Sequence, residues 1–370
     1  MTAELRVLAC CLWLATCGAA AQPLLVQTPV YRAGQDGYHS YRIPSLIATG
    51  NGALLAFCEG RKNSSSDTGD IDLLLKRSFD NGKTWAPAKV VADHGADTIG
   101  NPCPVIDRST GTIWLLLTGN PGAITEKQIM AGEGARTVWV TRSDDDGATW
   151  APLADITAAV KRPDWTWYAT GPGNGIQLEN GRLLIPCDHA EKGTAVQHSH
   201  VIYSDDHGKT WKIGGSLGEN TDECAVAELV DSRLLINMRS YAGKNRRAIA
   251  HSRDGGLTWS QVKLDDALIE PVCQASLLRF TTKTKNRLLF ANPADLVRAK
   301  MTVRLSYDEG GSWPVARMLW EGPSAYSSLA VLRDSTIGCL YERGEKSAYE
   351  TITFARFNLE WLSYGEDHLP

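Results

Sequence analysis

The sequence predicts an all-β protein folded as a six-bladed β-propeller with four-stranded antiparallel blades. The first observation is a repeated motif, Ser-x-Asp-x-Gly-x-(Thr/Ser)-Trp, which begins at residues 78, 143, 204, 252 and 306. The second is the alternation of apolar and polar residues before each copy, as in TVWVTRS, which is typical of strands. The third is another apolar run upstream of every copy, with a sixth such run, TIGCLYERG, near the C-terminus.

Each copy of the motif predicts a tight turn between two antiparallel strands. In the first copy, Asp80 can accept hydrogen bonds from backbone N–H groups, Gly82 permits a left-handed backbone, and Trp85 fills the space beneath. We therefore expect the motif acids to be structural, although they form the most visible acidic pattern of the chain. These acids are Asp80, Asp145, Asp206, Asp254 and Asp308.

The spacing of the motif predicts the number of blades. The copies recur about every 57 residues, which is enough for four strands, and the chain after its N-terminal leader is about six such units long. The last unit lacks the motif. Its apolar run is followed by the strand-like segment YETITFARF with no motif between them, and we expect residues around Leu24 to Tyr31 to complete this unit and close the ring. A pair of β-sandwich domains is the alternative, but it would not require equal spacing.

The N-terminus predicts a cleaved signal peptide over residues 1–21, followed by one propeller domain over residues 22–370. Arg6 precedes an apolar run over residues 7–17, and small residues stand at Ala19 and Ala21. The run is too short to span a bilayer, so no transmembrane segment is expected in the mature chain. Export to the exterior or the periplasm is the expected fate. A lysosomal location or a lipoprotein anchored at Cys17 is less favoured, the latter because Thr16 is bulky for that cleavage.

Composition narrows the possible partners and cofactors. The net charge is -4 and no long basic run occurs, which argues against nucleic acid as a partner. No CxxC pair, HExxH helix or EF-hand loop is present, so we expect neither a catalytic metal nor another cofactor. A domain of this size does not need disulfides, so pairing is optional for the six cysteines after the leader. They are Cys58, Cys103, Cys187, Cys224, Cys273 and Cys339.

Polar residues end the six apolar runs, where the strand pattern would otherwise continue. Because the runs are equivalent strands of successive blades, we expect their ends to meet on one face near the central axis. The predicted functional site is on that face. The residues are Glu59, Arg61, Asn120, Asp188, His189, Arg239, Asn292 and Glu342.

Five other residues break the local pattern near this face. Arg42 lies in YRIPSL, where Pro44 limits strand pairing, and Asp67 lies in the polar stretch NSSSDTGD. Arg298 follows an Asn-Pro turn, and Tyr326 begins a strand. Each of these residues could instead have an ordinary structural role. The arginines could form salt bridges at the propeller rim, the aspartate could stabilise a turn, and the tyrosine could be a core aromatic residue. Glu223 is harder to dismiss, since burying an acid in a strand is costly without a partner.

Seven segments of the chain, in their order, resemble those of the exo-α-sialidases (neuraminidases) of the bacterial-type and animal superfamily. In that family the repeated motif is called an Asp box. The segments are YRIPSL, FCEGR, the loop with Asp67, ECAVAEL, NMRS, AYSSL and LYE. The resemblance covers essentially the whole mature chain. Asp boxes occur in other propellers as well, so the ordered set carries the specificity.

The resemblance implies three arginines that bind the carboxylate of sialic acid, namely Arg42, Arg239 and Arg298. This carboxylate lies on the anomeric carbon, and the planar guanidinium group can bind it bidentately, each charge-assisted hydrogen bond contributing about 1.5–3 kcal/mol. Arg304 is an alternative to Arg298 as the third carboxylate-binding arginine. Arg298 is preferred because it follows the Asn-Pro turn as the family arginine does.

The resemblance also implies the catalytic residues. A carboxylate nucleophile would be repelled by the substrate carboxylate, so sialidases use a tyrosine, and Tyr326 matches that position. Glu223 matches the glutamate that accepts its proton, and Asp67 matches the general acid/base. Two successive displacements would retain the anomeric configuration.

Further matches concern substrate binding. Glu342 matches the acid that orients Arg42, and Arg61 matches an additional arginine of the pocket. Substrate-lining positions are matched by Asn101, Tyr168 and Gln274.

The expected function is thus a retaining exo-α-sialidase acting on sialylated glycoproteins, glycolipids or oligosaccharides. A trans-sialidase or an enzyme forming an anhydro product differs only in the acceptor, for which Trp165, Trp167 and Tyr168 either form a platform or simply pack. A non-catalytic glycan-binding propeller predicts loss of Asp67, Glu223 or Tyr326, and all three are present.

Overall fold

The structure is a computed structural model that describes residues 22–194, 196–282 and 285–369. The predicted signal peptide, residues 1–21, lies outside the described residues. The described chain is a β-propeller-like all-β fold with a few helical turns. None of the helices in these ranges is long and apolar enough to cross a membrane.

The N-terminal half forms successive groups of antiparallel strands. A single parallel residue pair, Ile71 with Thr98, joins the first group to the second. The strands after β1 (Leu25–Arg32) are β2 (Ser40–Ala48), β3 (Leu54–Arg61), β4 (Ile71–Ser78) and β5 (Lys89–Ala92); then β6 (Thr98–Ile106), β7 (Ile113–Asn120), helix α1 (Glu126–Met130), β8 (Thr137–Ser143), β9 (Ala154–Asp155) and helix α2 (Thr157–Val160); then β10 (Trp165–Thr170), β11 (Ile176–Gln177), β12 (Leu183–Glu191), β13 (Gln197–Ser204) and β14 (Lys212–Glu219).

The C-terminal half continues the same pattern. One long strand serves two groups, because its first part pairs with the strand before it and its second part with the strand after it. The elements are β15 (Thr221–Glu228), β16 (Leu234–Ser240), β17 (Arg246–Ser252) and β18 (Lys263–Ile269); then β19 (Ser276–Arg279), β20 (Leu288–Pro293), β21 (Ala299–Ser306) and the long β22 (Val315–Val331); then β23 (Ile337–Arg343), β24 (Thr351–Phe357) and helix α3 (Leu359–Leu362).

The two ends of the chain meet in one sheet. Strand β1 pairs antiparallel with β24, from Leu25 opposite Phe357 to Arg32 opposite Thr351. The backbone N–H of Leu24 also donates to the side chain of Asn358 at 2.8 Å. This confirms the prediction that N-terminal strand residues complete the last strand group.

The first strands of neighbouring groups lie against one another: β2 contacts both β6 and β22, and β19 contacts both β15 and β22. The apolar core is divided accordingly into clusters between adjacent groups. One cluster, for example, joins Val105 and Leu116 of the second group to Ile185 and Ile202 of the third. This packing brings the same ends of the first strands close together.

The repeated motif has the same hydrogen bonds in all five copies. In the second copy, Ser143 Oγ donates to Asp145 at 2.8 Å, and both the backbone N–H and the hydroxyl of Thr149 donate to the same carboxylate, at 2.8 and 2.6 Å. These bonds lower the pKa of Asp145 to about 2. The predicted turn is therefore observed, with the carboxylate as its centre.

The glycine of the repeated motif allows one strand group to pack closely against its neighbour. Gly82 has a φ of +79°, and a Cβ on it would come within 2.0 Å of the Phe354 ring in the neighbouring strand group. Trp85 contacts the same ring edge-on. Glycine is thus required both for the turn and for the close packing of two sheets.

The motifs lie at the far end of the strands from the predicted site. Because Arg61 pairs with Ile71 and Leu54 pairs with Ser78, the motif after β4 is separated from the end of β3 by the length of the strand. Eight residues of strand span about 23 Å. The motif acids are therefore remote from the residues that end the apolar runs.

Candidate active site

The first strands of five groups each contain a break in register close to the central face. A bulge of this kind leaves residues unpaired and redirects their side chains. At two breaks the backbone is left-handed, with a φ of 60° at Ile43 and 53° at Asn101. The breaks lie between Arg42 and Ser45, Gly100 and Cys103, Trp165 and Tyr168, Thr221 and Cys224, and Ser324 and Ser327.

These breaks border a cavity of about 190 Å³ on the central face. Its lining is dominated by charge, with five arginines and six acids among the described residues. Such a cavity suits a small, highly polar ligand. The charged residues are Arg42, Arg61, Arg136, Arg239 and Arg298, with Glu59, Asp67, Glu126, Asp188, Asp222 and Glu223.

Tyr326 and Glu223 are in direct contact in this cavity. The phenolic hydroxyl donates to Oε1 of Glu223 at 2.5 Å, while Nη1 of Arg239 donates to the hydroxyl at 3.2 Å and to the other glutamate oxygen at 2.8 Å. Burial, and then the charge of Glu223, raise the pKa of Tyr326 well above its usual value. The phenol is therefore protonated in the free protein, and its hydrogen bond is to the Glu223 carboxylate.

Glu342 lies behind the cavity and holds Arg42 in position. Its carboxylate is fully buried and accepts from Nε of Arg42 at 2.8 Å, from the N–H of Ile43 at 2.9 Å and from the N–H of Tyr326 at 3.0 Å. The Glu342 carboxylate thus stabilises the register breaks of both β2 and β22, two strands that are far apart in the sequence. The predicted pairing of Glu342 with Arg42 is present.

Arg298 reaches the cavity from the turn before β21. It donates to the Tyr349 hydroxyl at 3.0 Å, and its guanidinium carbon is 5.5 Å from the centre of the Tyr326 ring. Arg304 donates instead to Asn292 at 3.1 Å and is not part of the lining. The position of the two side chains therefore favours Arg298 over Arg304.

Asp67 stands at the rim, with its side chain 60% exposed. It is 2.7 Å from Arg61 and 3.6 Å from Arg42. Burial of part of the group opposes its ionisation, but the two arginine charges outweigh this effect and lower the pKa of Asp67. In the free protein, Asp67 is therefore a carboxylate.

Part of the lining is acidic. Asp188 is fully buried, and neither of its carboxylate oxygens has a hydrogen-bond partner among the described residues. Burial, and then the charges of Asp222 and Glu223, raise the pKa of Asp188 well above its usual value. Burial also raises the pKa of Asp222 to about 6. Burial, and then the charge of Asp222, raise the pKa of Glu126 to about 7. The arginine charges near Asp188, Asp222 and Glu126 therefore do not offset the effect of burial and of the neighbouring acids on their pKa values.

The structure does not bring every predicted residue to the cavity. Asn101 lines it, but Tyr168 is fully buried and directs its hydroxyl at the sulfur of Cys187, 3.6 Å away. Neighbouring strand residues face opposite sides, so Trp167 and not Tyr168 lines the cavity. Trp165 packs on His189 with ring centres 3.6 Å apart.

Gln274 is also absent from the lining. Its side chain is buried and bonded to the backbone, donating to the carbonyls of Pro172 and Ser327 at 3.0 and 2.9 Å. Its oxygen accepts the N–H of Ser327 at 2.9 Å. The amide therefore supports the segment that follows Tyr326 and has no free group for a ligand.

Among the run ends, Glu59, Arg61, Asp188 and Arg239 line the cavity. Asn120 and Asn292 do not. Asn120 accepts from Arg136, and Asn292 from Arg304.

Several lining residues were not predicted from the sequence. Arg136 is buried over the ring of Trp167 at 3.8 Å, and Tyr349 lies 4.0 Å from the Arg42 guanidinium. Further lining residues of this kind are Ile43, Glu126, Ala169, Gln197, Asp222 and Tyr241. Arg136 immediately precedes a motif strand, as a charged residue before an apolar run, and this was the one available signal.

Among the described residues, no group of three or more His, Cys, Asp or Glu side chains could hold a metal ion. The six cysteines are buried and unpaired with one another.

The fold and cavity have counterparts in known proteins. Residues 52–339 match the model of the BNR repeat-like domain. The chain is 33% identical over 366 residues to the exo-alpha-sialidase of Aspergillus fumigatus, a match that covers 90% of this chain and 87% of that protein. It is 34% identical to the sialidase of Micromonospora viridifaciens, with 92% of this chain covered.

This chain spans 55% of the length of the Micromonospora protein. Among solved structures, the Hadza microbial sialidase Hz136 superposes with a TM-score of 0.84 at 34% identity, covering 91% of this chain and 69% of that one.

Proposed function

The chain belongs to the sialidase family, and we propose that it is a retaining exo-α-sialidase that removes terminal sialic acid from glycoproteins, glycolipids or oligosaccharides. The observation that carries the proposal is the contact of Tyr326 with Glu223 inside a cavity shared with Arg42, Arg239 and Arg298. A nucleophile, its base and an anion-binding site are thus adjacent.

The three arginines are proposed to bind the sialic acid carboxylate. Arg42 is 5.1 Å and Arg298 5.5 Å from the Tyr326 ring centre, and Arg239 donates to the Tyr326 hydroxyl. A carboxylate held by all three would place the anomeric carbon that carries it next to the phenolic oxygen. The geometry therefore supports attack at the carbon that carries the bound carboxylate.

In the first step, the phenolic oxygen of Tyr326 attacks the anomeric carbon as its proton passes to Glu223. Because the pKa of Tyr326 is raised, this transfer accompanies bond formation, and no free phenolate precedes it. Arg239 stabilises the negative charge that develops on the phenolic oxygen. The glycosidic C–O bond breaks, and the leaving oxygen takes a proton from Asp67.

Asp67 must gain that proton before it can donate it. Its pKa is low in the free protein because of Arg61 and Arg42. When the substrate carboxylate binds Arg42, part of this positive field is neutralised and the proton affinity of Asp67 rises. Substrate binding itself would therefore prepare the general acid.

In the second step, water attacks the anomeric carbon, Asp67 accepts a proton from the water, and the bond to Tyr326 breaks as Glu223 returns the phenolic proton. Two displacements at one carbon retain its configuration. An alcohol of another sugar, or of the same sugar, in place of the water would give transfer or an anhydro product.

We further infer that the strand groups form six blades around one axis, with Asp boxes marking five. Support comes from the mutual contacts of the first strands and from the pairing of β1 with β24. Export through residues 1–21 is proposed from the sequence pattern alone.

The test is incubation of purified protein with a fluorogenic α-sialoside, with the released sugar followed by NMR. Release of the fluorophore with initial formation of the α-anomer is expected. An inert protein that binds free sialic acid would identify a lectin, and an initial β-anomer would contradict the tyrosyl intermediate. A transfer or anhydro product in the spectra would replace hydrolysis as the reaction.

A further inference from the structure

Lys161 is a partly buried cation that the proposed mechanism does not use. It follows α2, on the connection from β9 to β10. Its Nζ donates to the backbone carbonyl of Arg136 at 2.7 Å and to that of Thr166 at 2.8 Å. Burial, and then the charge of Arg136, lower the pKa of Lys161 to about 8. Since burying an ammonium group is costly without acceptors, these two hydrogen bonds hold the side chain between two backbone segments.

One of the two segments contains the register break of β10. The regular pairing of β10 with β12 is interrupted at Thr166 and Trp167. The carbonyl of Thr166 receives a hydrogen bond from Lys161, and the next side chain, that of Trp167, lines the cavity. Lys161 thus stabilises the break of β10 as Glu342 stabilises those of β2 and β22.

The other segment carries the guanidinium group that lies over Trp167. Arg136 immediately precedes β8, and its guanidinium carbon is 3.8 Å from the centre of the Trp167 ring. Both side chains line the cavity, and both are buried. Because they belong to adjacent strand groups, their contact depends on how the two backbones are held relative to each other. Lys161 joins these two backbones directly.

The position of Arg136 also affects the acids of the cavity. Burial raises the pKa of Asp188 and of Glu126, and the positive charge of Arg136 opposes this rise. A shift of Arg136 away from Glu126 would therefore raise the pKa of Glu126 further. Any residue that holds Arg136 in place thus has an effect on the charge of the cavity.

We propose that Lys161 is a positioning residue for substrate binding, which holds Arg136 and Trp167 together as one wall of the cavity. Lys161 itself is not among the described residues that line the cavity. This inference rests on the proposed function and adds how the wall formed by Arg136 and Trp167 is kept in place.

The test removes the hydrogen-bond donors of Lys161 and keeps the length of its side chain. In Lys161→Met, KM for an aryl α-sialoside should rise at least about fivefold while kcat stays within about twofold, because the nucleophile, its base and the general acid are not moved. Lys161→Arg keeps a charged donor and should recover most of the wild-type KM. Lys209→Met is the control, because Lys209 is exposed in the turn between β13 and β14 and outside the cavity lining.

The pH profile supplies a readout that a merely structural role would not move. Glu126 has a pKa of about 7 and becomes negative above it, which disfavours an anionic substrate. Because a displaced Arg136 would let this pKa rise, the decline of kcat/KM should move to higher pH in Lys161→Met. The other charged groups that face Glu126 are Asp222, Asp67 and Arg239.

The effect of Lys161 should also depend on the ring that it positions. In a Trp167→Ala background, Lys161→Met should change KM less than about twofold, because no ring remains to be held. Additive effects of the two substitutions would overturn the proposal. An unchanged KM and pH profile in Lys161→Met, measured well below its melting temperature, would overturn it as well.

Two further measurements keep the test decisive. If Lys161→Met does not fold, Lys161→Gln retains one amide donor group and should give a raised KM, whereas a wild-type KM in Lys161→Gln would contradict the positioning role. If the wild-type protein does not cleave the sialoside, the proposed function fails. The affinity for free sialic acid, measured by calorimetry in the same variants, then tests Lys161 separately, and equal affinities would refute its role.

Discussion

The hydroxyl of Tyr326 donates a 2.5 Å hydrogen bond to Glu223, a residue 103 positions away in the sequence. Each side chain lies in a register break of a different first strand. Arg239 contacts both at once. The three side chains are therefore joined by hydrogen bonds, and the phenolic hydrogen of Tyr326 points at Glu223.

Removing the Tyr326 hydroxyl should abolish most of the activity. For Tyr326→Phe we expect kcat for an aryl α-sialoside to fall at least about 100-fold, with the melting temperature changed by only a few degrees. Steady-state kinetics and calorimetry measure both. Tyr203→Phe is the control, since the Tyr203 ring packs against Arg182, away from the cavity lining. Full turnover by Tyr326→Phe would show that another group is the nucleophile.

Replacing Glu342 should affect both stability and substrate binding. Glu342→Gln places an amide against donors from Arg42, Ile43 and Tyr326 and leaves the buried Arg42 without its main counter-charge. Breaking a buried pair in this way costs about 3–5 kcal/mol of unfolding free energy.

The KM for the sialoside should rise at least tenfold in Glu342→Gln, and inhibition by free sialic acid should weaken in parallel. A merely structural role would lower the melting temperature and leave KM unchanged, which kinetics below the melting transition would reveal.

The pH dependence of substrate binding should contain a contribution from Glu126. Its pKa is about 7, raised by burial and by Asp222, so it becomes negative as the pH rises through neutrality. The other charged groups that face it are Asp67, Arg136 and Arg239. A new negative charge beside the cavity repels an anionic substrate, so kcat/KM should decline several-fold above about pH 7. In Glu126→Gln this decline should be smaller, and identical pH profiles for the two proteins would exclude Glu126 as its source.

Asp188→Asn should stabilise the protein at neutral pH. Because the folded-state pKa of Asp188 is raised above its unfolded value, folding is penalised once the pH exceeds the usual aspartate pKa of about 4. The neutral amide avoids this penalty. We expect a melting temperature several degrees above wild type at pH 7, with the difference shrinking towards pH 4.

The exposed Asp164 supplies the control for that comparison, as Asp164→Asn should show no such trend. A variant of Asp188 less stable than wild type at pH 7 would mean that its carboxylate is stabilising in the folded protein.

A motif acid should matter for stability alone. Asp145→Ala removes the hydrogen bonds from Ser143 and Thr149 and should cost about 1 kcal/mol, while kcat/KM stays within twofold of wild type. The pKa of Asp145 is lowered to about 2, so its contribution is present above about pH 4 and is lost as the pH falls from about 4 to about 2. Calorimetry at pH 7 and pH 2 tests this, and a large loss of activity at pH 7 would contradict the structural role.

Much of the strand order could be predicted because the signals are local. Apolar alternation and the repeated turn motif depend on residues close together in sequence, and they located β4, β8, β13, β17 and β21 correctly before the five turns. The closing pair β1 and β24 was also predicted, from the one unit that lacks the repeated motif. The resemblance to sialidases supplied the roles of residues, and the structure places Tyr326, Glu223, Asp67 and the arginines around one cavity.

Other features depended on tertiary structure. Tyr168 and Trp167 are adjacent in sequence, and only the register of β10 decides which of them faces the cavity. Glu126, Arg136 and Tyr349 come from connections that carry no periodic signal. The sequence also does not indicate that the Asp188 carboxylate has no hydrogen-bond partner within the described part of the chain.

The sequence by itself determined an all-β chain of repeated turns and the residue types that anion binding and glycosidic cleavage require. Only the tertiary structure decided which of those side chains meet, because their direction is set by bulges whose partners, such as Glu342 for Arg42 and Tyr326, are distant in the chain. A strand pattern specifies the face of a residue only while pairing is regular. At this site the pairing is interrupted, and long-range hydrogen bonds set the geometry.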